Sequence, residues 1–164
     1  MAEPKRARAL LAIVALLQGM TGVRTWDDVS FEYPNPPRVE LEYRDPTTVN
    51  YFPWFSVTGG FGSRLVGEGR QTVGTQIQIP DEFHVLVTGA FHRTQAPDVA
   101  PEIWLQRGYE DFRRTMFGDT TLGGMVRELA FGEYRPDAGM LSEHHLAEFE
   151  QELIVVIDDR FVVG

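Results

Sequence analysis

The side chains of this chain that could do chemistry are mainly carboxylates near its C-terminal end. Glu148, Glu150 and Glu152 alternate along one segment, and Asp158 and Asp159 follow it. Paired carboxylates can perform general acid–base catalysis. Alternating glutamates on a strand also form a plain solvent-facing stripe, because charged side chains normally occupy the surface. No nucleophile motif accompanies them, so we interpret the glutamates as such a stripe.

The histidines do not have the spacing of a metal site. His84 and His92 lie on one predicted strand and would be about 26 Å apart if it were extended. The adjacent His144 and His145 would point to opposite sides of a strand. The chain has no cysteine, which removes thiolate chemistry and Cys-based zinc sites, and no serine lies in a G-x-S-x-G elbow. We therefore predict no catalytic residue, no cofactor and no metal site.

Length and charge exclude several classes of protein. The 164 residues fit one domain, spanning 1–164, and 43% hydrophobic content argues against intrinsic disorder. The 24 acidic and 15 basic side chains give a net charge of −9. That balance argues against a general nucleic-acid binder and against a polybasic membrane-surface protein.

The N-terminal segment has a basic start and an apolar run. Lys5, Arg6 and Arg8 precede nine apolar residues at 9–17, as in a signal peptide. No A-x-A-like cleavage site follows, and the run is shorter than the ~20 residues that span a bilayer. Because Ala and Leu are strong helix formers, we predict a buried or interface helix over about Pro4–Gln18, with a cleaved signal peptide as the alternative.

The next part of the chain predicts β-strands. Alternation over residues 39–43 predicts a half-buried antiparallel strand, with residues 29–33 as its partner or lead-in. Pro53 confines the aromatic segment Tyr51–Phe55 to an edge or a bulge. Two further strands are predicted at 75–79 and 83–91, joined at residues 80–82, and the second is apolar enough to be central in the sheet.

Between these strands lies a glycine-rich segment, Gly59–Gly74. It contains six glycines as well as Arg64 and Arg70, and little apolar content. The glycines match neither G-x-G-x-x-G nor a P-loop. We predict a long mobile loop or hairpin extension. Because ordering costs ~1–2 kcal/mol per residue, we expect a neighbouring subunit to order it.

One amphipathic helix and two strands complete the pattern. Pro101–Phe117 has an apolar stripe, a proline at its start and Gly118 at its end. Its outer face predicts the i,i+4 ion pairs Arg107–Asp111 and Glu110–Arg114. Strands are predicted at residues 125–134 and 146–157, joined by a turn-rich link at 135–140. The prediction is an α+β fold, a mostly antiparallel sheet with both helices packed on one face.

The residues after the second helix carry a resemblance to a known family. The run from Asp119 to Val126 (D-T-T-L-G-G-M-V), preceded by Trp104–Arg114, resembles the tail terminator, or tail-completion, proteins of long-tailed (siphovirus-type) bacteriophages. In that family a helix ends in a D-x-T-L-G-G-x-V-like turn that starts a strand. The resemblance is motif-like over residues 104–126 and elsewhere follows the order of elements. Gly123 and Gly124 suit such a turn because glycine allows positive φ.

The resemblance implies a virion structural protein of the tail–neck junction, made in the host cytoplasm, with no catalytic activity. Such proteins form a ring, usually hexameric, that caps the tail tube and joins it to the head-closure (connector) protein. DNA passes through the lumen without specific binding, and no membrane is involved. The acidic charge is compatible, because a like-charged lumen would keep DNA from sticking.

The ring interpretation assigns three groups of residues. Candidate subunit or partner contacts are Phe61, Arg64, Arg70, Leu10, Ile13 and Leu17. The structural turn consists of Gly118, Asp119, Leu122, Gly123 and Gly124. Candidate lumen residues are Glu148, Glu150 and Glu152.

Other interpretations remain open at this point. Another neck ring, such as the head-closure ring, belongs to the same class. A small-molecule-binding protein or enzyme would use the Tyr51–Phe55 aromatics with His84 or His92. A secreted binding domain would follow signal cleavage.

Overall fold

Two helices and eight strands form within the residues that the computed structural model describes, which are 3–65, 71–73, 76–93, 99–137 and 145–162. The helices are α1 (Lys5–Gln18) and α2 (Pro101–Phe117), and a 3-10 turn covers Pro46–Thr48. The strands are β1 (Val23–Trp26), β2 (Val29–Glu32), β3 (Arg38–Glu40), β4 (Trp54–Leu65), β5 (Gln71–Val73), β6 (Gln76–His92), β7 (Glu128–Asp137) and β8 (Leu146–Val162).

The main sheet has the strand order β3-β4-β6-β8-β7, and β5 pairs with β6. Its pairs are antiparallel except β3–β4, which is parallel. The central pair, β6–β8, is in register from Gln76↔Val162 to His92↔Leu146. Strands β1 and β2 form a separate hairpin. The predicted central position of residues 83–91 is therefore confirmed.

Both helices cover one face of this sheet, as predicted for an α+β fold. In α1 the buried side chains are Ala9, Ile13 and Leu17, spaced four residues apart. In α2 the bounds predicted from the sequence are the observed ones. The helices and the facing strand residues form one core, which includes Phe55, Phe83, Val85, Phe91, Phe112, Phe149 and Leu153.

The prediction for residues 39–43 is wrong in length and direction. β3 has three residues and pairs with β4 in parallel, and Leu41 and Tyr43 are 51% and 48% exposed. The chain leaves the sheet after Glu40, whose carboxylate accepts hydrogen bonds from Arg44 and from Trp54 Nε1. Residues 29–33 are not its partner, because β2 pairs with β1.

The joint predicted at residues 80–82 is absent, because β6 is one continuous strand. Arg127 N donates to the Val156 carbonyl on the β7 side of β8. By alternation, the backbone groups of Asp158 also point to that side. Pro80 lies opposite Asp158 and need not donate a hydrogen bond to β8, so a proline is tolerated there.

The C-terminal strands differ from the prediction in their bounds. β7 begins three residues later than expected, at Glu128, and continues through residues 135–137 of the predicted link. β8 extends past residue 157 to Val162. The predicted alternation on β8 is confirmed, since Phe149, Leu153 and Val155 are buried on the helix side.

Candidate functional site

The face of the sheet opposite the helices carries the glutamates singled out in the sequence. On β8, Glu150 and Glu152 are half-buried, while their neighbours Gln151 and Leu153 point into the core. We call this surface the open face, meaning the exposed and half-exposed residues described on β6, β7 and β8 on the side away from α1 and α2. Two of the three candidate lumen residues therefore share an accessible surface.

The third candidate, Glu148, lies in a different environment. It is only 9% exposed, next to a small second core of Val49, Phe52, Trp54, Ala90 and Leu146. Tyr43 lies close enough to Glu148 for the charge of the carboxylate to affect the pKa of the Tyr43 hydroxyl. Burial, followed by the charge of Glu148, raises the pKa of the Tyr43 hydroxyl. Burial at this position makes Glu148 unsuitable as a lumen residue of the folded chain.

Most of the charged side chains described around His84 on the open face are acidic. His84 lies between two carboxylates, with Nδ1 3.4 Å from Glu152 and Nε2 3.9 Å from Glu82. Arg135 pairs with Glu133 at 2.8 Å. The hydrogen bond and the charge of Arg135 hold the pKa of Glu133 below its usual range. Among the side chains described on this surface, Arg135 stands against the carboxylates of Glu82, Glu133, Glu150 and Glu152, so their summed charge is negative.

A bulge in β7 shapes the same surface. The β7–β8 register shifts between Phe131 and Tyr134. The buried Gln151 amide compensates by donating to the carbonyls of Gly132 and Glu133, at 3.1 and 3.2 Å. At Gly132 a Cβ would lie 2.5 Å from Glu152 Oε1, so a larger residue there would require the Glu152 side chain to move.

Helix α2 anchors this bulge, since the Tyr109 hydroxyl donates to Gln151 Oε1 at 2.6 Å. The sequence pattern placed Gln151 only on the buried side of its strand and gave no signal of this role.

The hollows of the described part of the chain include the following two. One, of about 100 Å³, is lined by Val85, Leu86, Glu133, Arg135, Glu150 and Glu152 and is part of the open face. The other lies between α1 and the turn after α2, and is lined by Ala12, Ala15, Leu16, Asp119, Leu122 and Gly123. Neither hollow involves the Tyr51–Phe55 aromatics.

Those aromatics are packing residues. Trp54 and Phe55 are fully buried and Phe52 is 7% exposed, whereas Tyr51 is 37% exposed. His92 stacks on Phe52 with ring centroids 5.2 Å apart, far along β6 from His84. The described residues contain no group of three or more potential metal ligands. None of the helices found there is long and apolar enough to cross a membrane.

The turn residues behave as predicted. Gly118 caps α2, and Asp119 Oδ1 accepts a hydrogen bond from Gly123 N at 2.8 Å. Gly123 and Gly124 have φ of +70° and +85°. Leu122 is 4% exposed and adds its side chain to the core. The turn is a structural element that starts the connection to β7.

The candidate subunit contacts on α1 are mostly inside the chain's own core. Ile13 and Leu17 are fully buried, which corrects their assignment to a subunit interface. Leu10 is partly buried and packs against Gly59, where a Cβ would lie 3.2 Å from a Leu10 methyl carbon. On the solvent side of the helix, Leu11 is 48% exposed.

The glycine-rich segment is described only in part. Phe61 and Arg64 lie on β4, opposite His84 and Glu82 of β6. Residues 66–70 and 74–75, including Arg70, lie outside the described residues. The described parts of the segment, residues 59–65 and 71–73, lie in β4 and β5, which both pair with β6.

Sequence reasoning misassigned Asp111. It was expected on the outer face, paired with Arg107, but it is fully buried. Arg24 Nε lies 3.0 and 3.1 Å from its two oxygens, and the Tyr33 hydroxyl donates to it at 2.9 Å. Burial, and next the charge of Asp111, raises the pKa of Tyr33 well above its ordinary value. Arg107 instead lies over the ring of Trp104.

The other predicted ion pair of α2, Glu110–Arg114, is present at 3.0 Å.

No protein-family model matches the chain, and no curated protein is significantly similar to it in sequence. The chain has an α+β fold, with helices on one face of the sheet and the open face on the other.

Proposed function

We propose that this chain is a virion structural protein, the tail terminator of a long-tailed bacteriophage. It forms a ring, hexameric in the proposal, that caps the tail tube and joins it to the head-closure protein. The ring lies at the tail–neck junction, and DNA passes through it without specific binding. The protein has no catalytic role in this proposal.

The observation that carries the proposal is the acidic open face. A two-layer fold whose helices lie on one side can turn the other side of its sheet toward a lumen. Glu82, Glu150 and Glu152 are half-exposed there. Like charges repel the DNA phosphates and prevent tight adsorption to the wall. The resemblance over residues 104–126 also supports the proposal, since it includes a helix, a glycine turn and the approach to a strand.

The first test is the assembly state of the purified full chain, measured by native mass spectrometry over a range of concentrations. We expect a closed ring, because head-to-tail contacts close when the rotation between copies allows it. If only a monomer is seen, tail tubes are added and the tube ends are examined by electron microscopy, since the tube can template the ring. A stable dimer that ignores tube ends would contradict the proposal.

The second test concerns the lumen. The double variant Glu150→Lys and Glu152→Lys reverses two charges on the open face, and we expect assembled particles with slowed DNA ejection. Glu102→Lys is the matched control, because Glu102 is exposed in the first turn of α2 on the helix side. Normal ejection from the double variant, with assembly intact, would remove the open face from the lumen.

A further inference from the structure

At one end of the sheet, the β6–β8 pairing continues beyond Asp81 and Asp158, the two residues that the first turn of α1 contacts. There β6 and β8 stay paired from Pro80↔Asp158 to Gln76↔Val162, and β5 pairs with the same part of β6. At ~3.3 Å per residue this stretch of β6 is about 15 Å long. We call it the arm, consisting of Gln71–Val73, Gln76–Pro80 and residues 158–162.

The first turn of α1 is attached to the base of the arm. Arg6 Nε and Nη2 lie 2.7 and 2.5 Å from the two carboxylate oxygens of Asp81, a bidentate pair. Lys5 Nζ donates to the backbone carbonyl of Asp158. Asp81 is on β6, next to Pro80. Asp158 is on β8 and lies opposite Pro80. Consecutive residues of one helix therefore hold two adjacent strands at the same level.

The burial of Asp81 shows why this attachment matters. Its side chain is 3% exposed, whereas that of Arg6 is 40% exposed. Asp81 lies in the row of helix-facing β6 residues that includes Phe83, and the Arg6 guanidinium also lies 5.0 Å from the centre of the Phe83 ring. A buried carboxylate is costly unless a cation pairs with it. The carboxylate therefore binds the helix start to this position of the strand.

We propose that Lys5 and Arg6 form a clamp that fixes the arm relative to the helical layer. The contacts lie at Asp81 and Asp158, at the base of the arm, so they set the direction in which the arm leaves the core. The clamp positions the arm for contact with a second copy, a consequence that rests on the proposed ring.

Hydrogen exchange of the full chain tests the clamp without reference to assembly. In Arg6→Gln we expect the amides of Gln76–Ile79 and 159–162 to exchange about tenfold faster, because the anchor of a locally opening unit is lost. The amides of residues 83–91 should be unchanged. Arg38→Gln is the control, because the Arg38 side chain is 49% exposed and forms its ion pair with Glu40 on β3. Unchanged exchange in the arm would overturn the proposal.

A second variant separates the clamp from the general cost of an unpaired buried charge. Arg6→Gln with Asp81→Asn removes both charges, so the urea midpoint should recover toward that of the unchanged protein. The arm amides should still exchange quickly, because the bidentate pair is missing. If the urea midpoint and the exchange rates of the arm amides both returned to those of the unchanged protein, Arg6 would only neutralise the buried charge of Asp81, and the clamp would be refuted.

Native mass spectrometry of the same variants then addresses assembly. If the unchanged protein forms a ring, Arg6→Gln should shift the equilibrium toward monomer. If the unchanged protein forms no ring with or without tube ends, the proposed function fails, while the exchange result still decides the clamp.

Discussion

Gly108 is the position in α2 where a single methyl group should be hardest to accommodate. A Cβ at Gly108 would lie 2.0 Å from Cζ and 2.6 Å from Cε1 of Phe91. The Phe91 ring is fully buried, with Phe55 and Phe149 centroids at 6.1 and 6.5 Å. The ring therefore has no free space to enter, and Gly108→Ala must shift either the helix or the aromatic cluster.

Two effects of opposite sign act in Gly108→Ala. Overpacking a core costs ~1–3 kcal/mol, and a clash with a rigid ring belongs at the upper end of that range. Alanine gains ~1 kcal/mol over glycine inside a helix. We expect a net loss of about 1–2 kcal/mol in the free energy of unfolding. For a chain of this length that corresponds to a fall of roughly 2–8 °C in Tm.

Urea unfolding of purified protein, followed by circular dichroism, measures this change. Gln106→Ala is the control, because Gln106 is exposed on the same helix and should change stability very little. Phe91→Leu combined with Gly108→Ala provides the internal check, since a smaller side chain makes room and the two changes should couple favourably. A Gly108→Ala protein more stable than the unchanged chain would refute the packing argument.

Three further predictions concern single contacts. Tyr33→Phe removes the buried hydrogen bond to Asp111 and should lower the free energy of unfolding, measured by urea unfolding, by ~1.5–3 kcal/mol. A loss smaller than a few tenths of a kcal/mol would contradict a stabilising role for this hydrogen bond. Arg135→Gln should raise the pKa of Glu133 toward its ordinary value, which NMR titration measures. Because the pKa of Glu133 is lowered in the folded state, the ion pair stabilises the fold at neutral pH, and this stabilisation is lost as the pH falls through that pKa. Gly124→Ala meets open space at a φ of +85°, so thermal unfolding should show a cost of ~1 kcal/mol from backbone strain alone, and an unchanged Tm would argue against that conformation.

Local patterns predicted the elements whose stability is local. Helix α2 has its proline, its apolar stripe and its terminal glycine within one segment, and its bounds were found from these signals. The glycine turn after it was also found, because positive φ restricts the residue type. The alternation on β8 predicted the buried side of that strand.

Patterns failed where a distant partner decides the structure. Residues 39–43 alternate like a strand, but Glu40 binds Trp54 and Arg44, and the chain turns away from the sheet. Asp111 has the i,i+4 spacing of a surface ion pair, yet Arg24 and Tyr33 bring it inside. Proline at position 80 reads as a break, and only the register of β8 shows that no hydrogen bond is needed there. Apart from Arg44, which is four residues from Glu40, these partners lie outside a local sequence window.

The β6–β8 pairing also has a consequence for how the chain folds. β4–β6 and β7–β8 join strands that are neighbours along the chain or nearly so, whereas β6 and β8 meet only after α2 and β7 have been traversed. The entropy cost of closing that long loop must be met before the β6–β8 contacts form, and folding slows as contacts become less local. We expect the rate-limiting step to be the docking of a β7–β8 unit onto a β4–β6 unit along one central seam. Substitutions along this seam, such as Val85→Ala, would then slow folding more than substitutions in either hairpin.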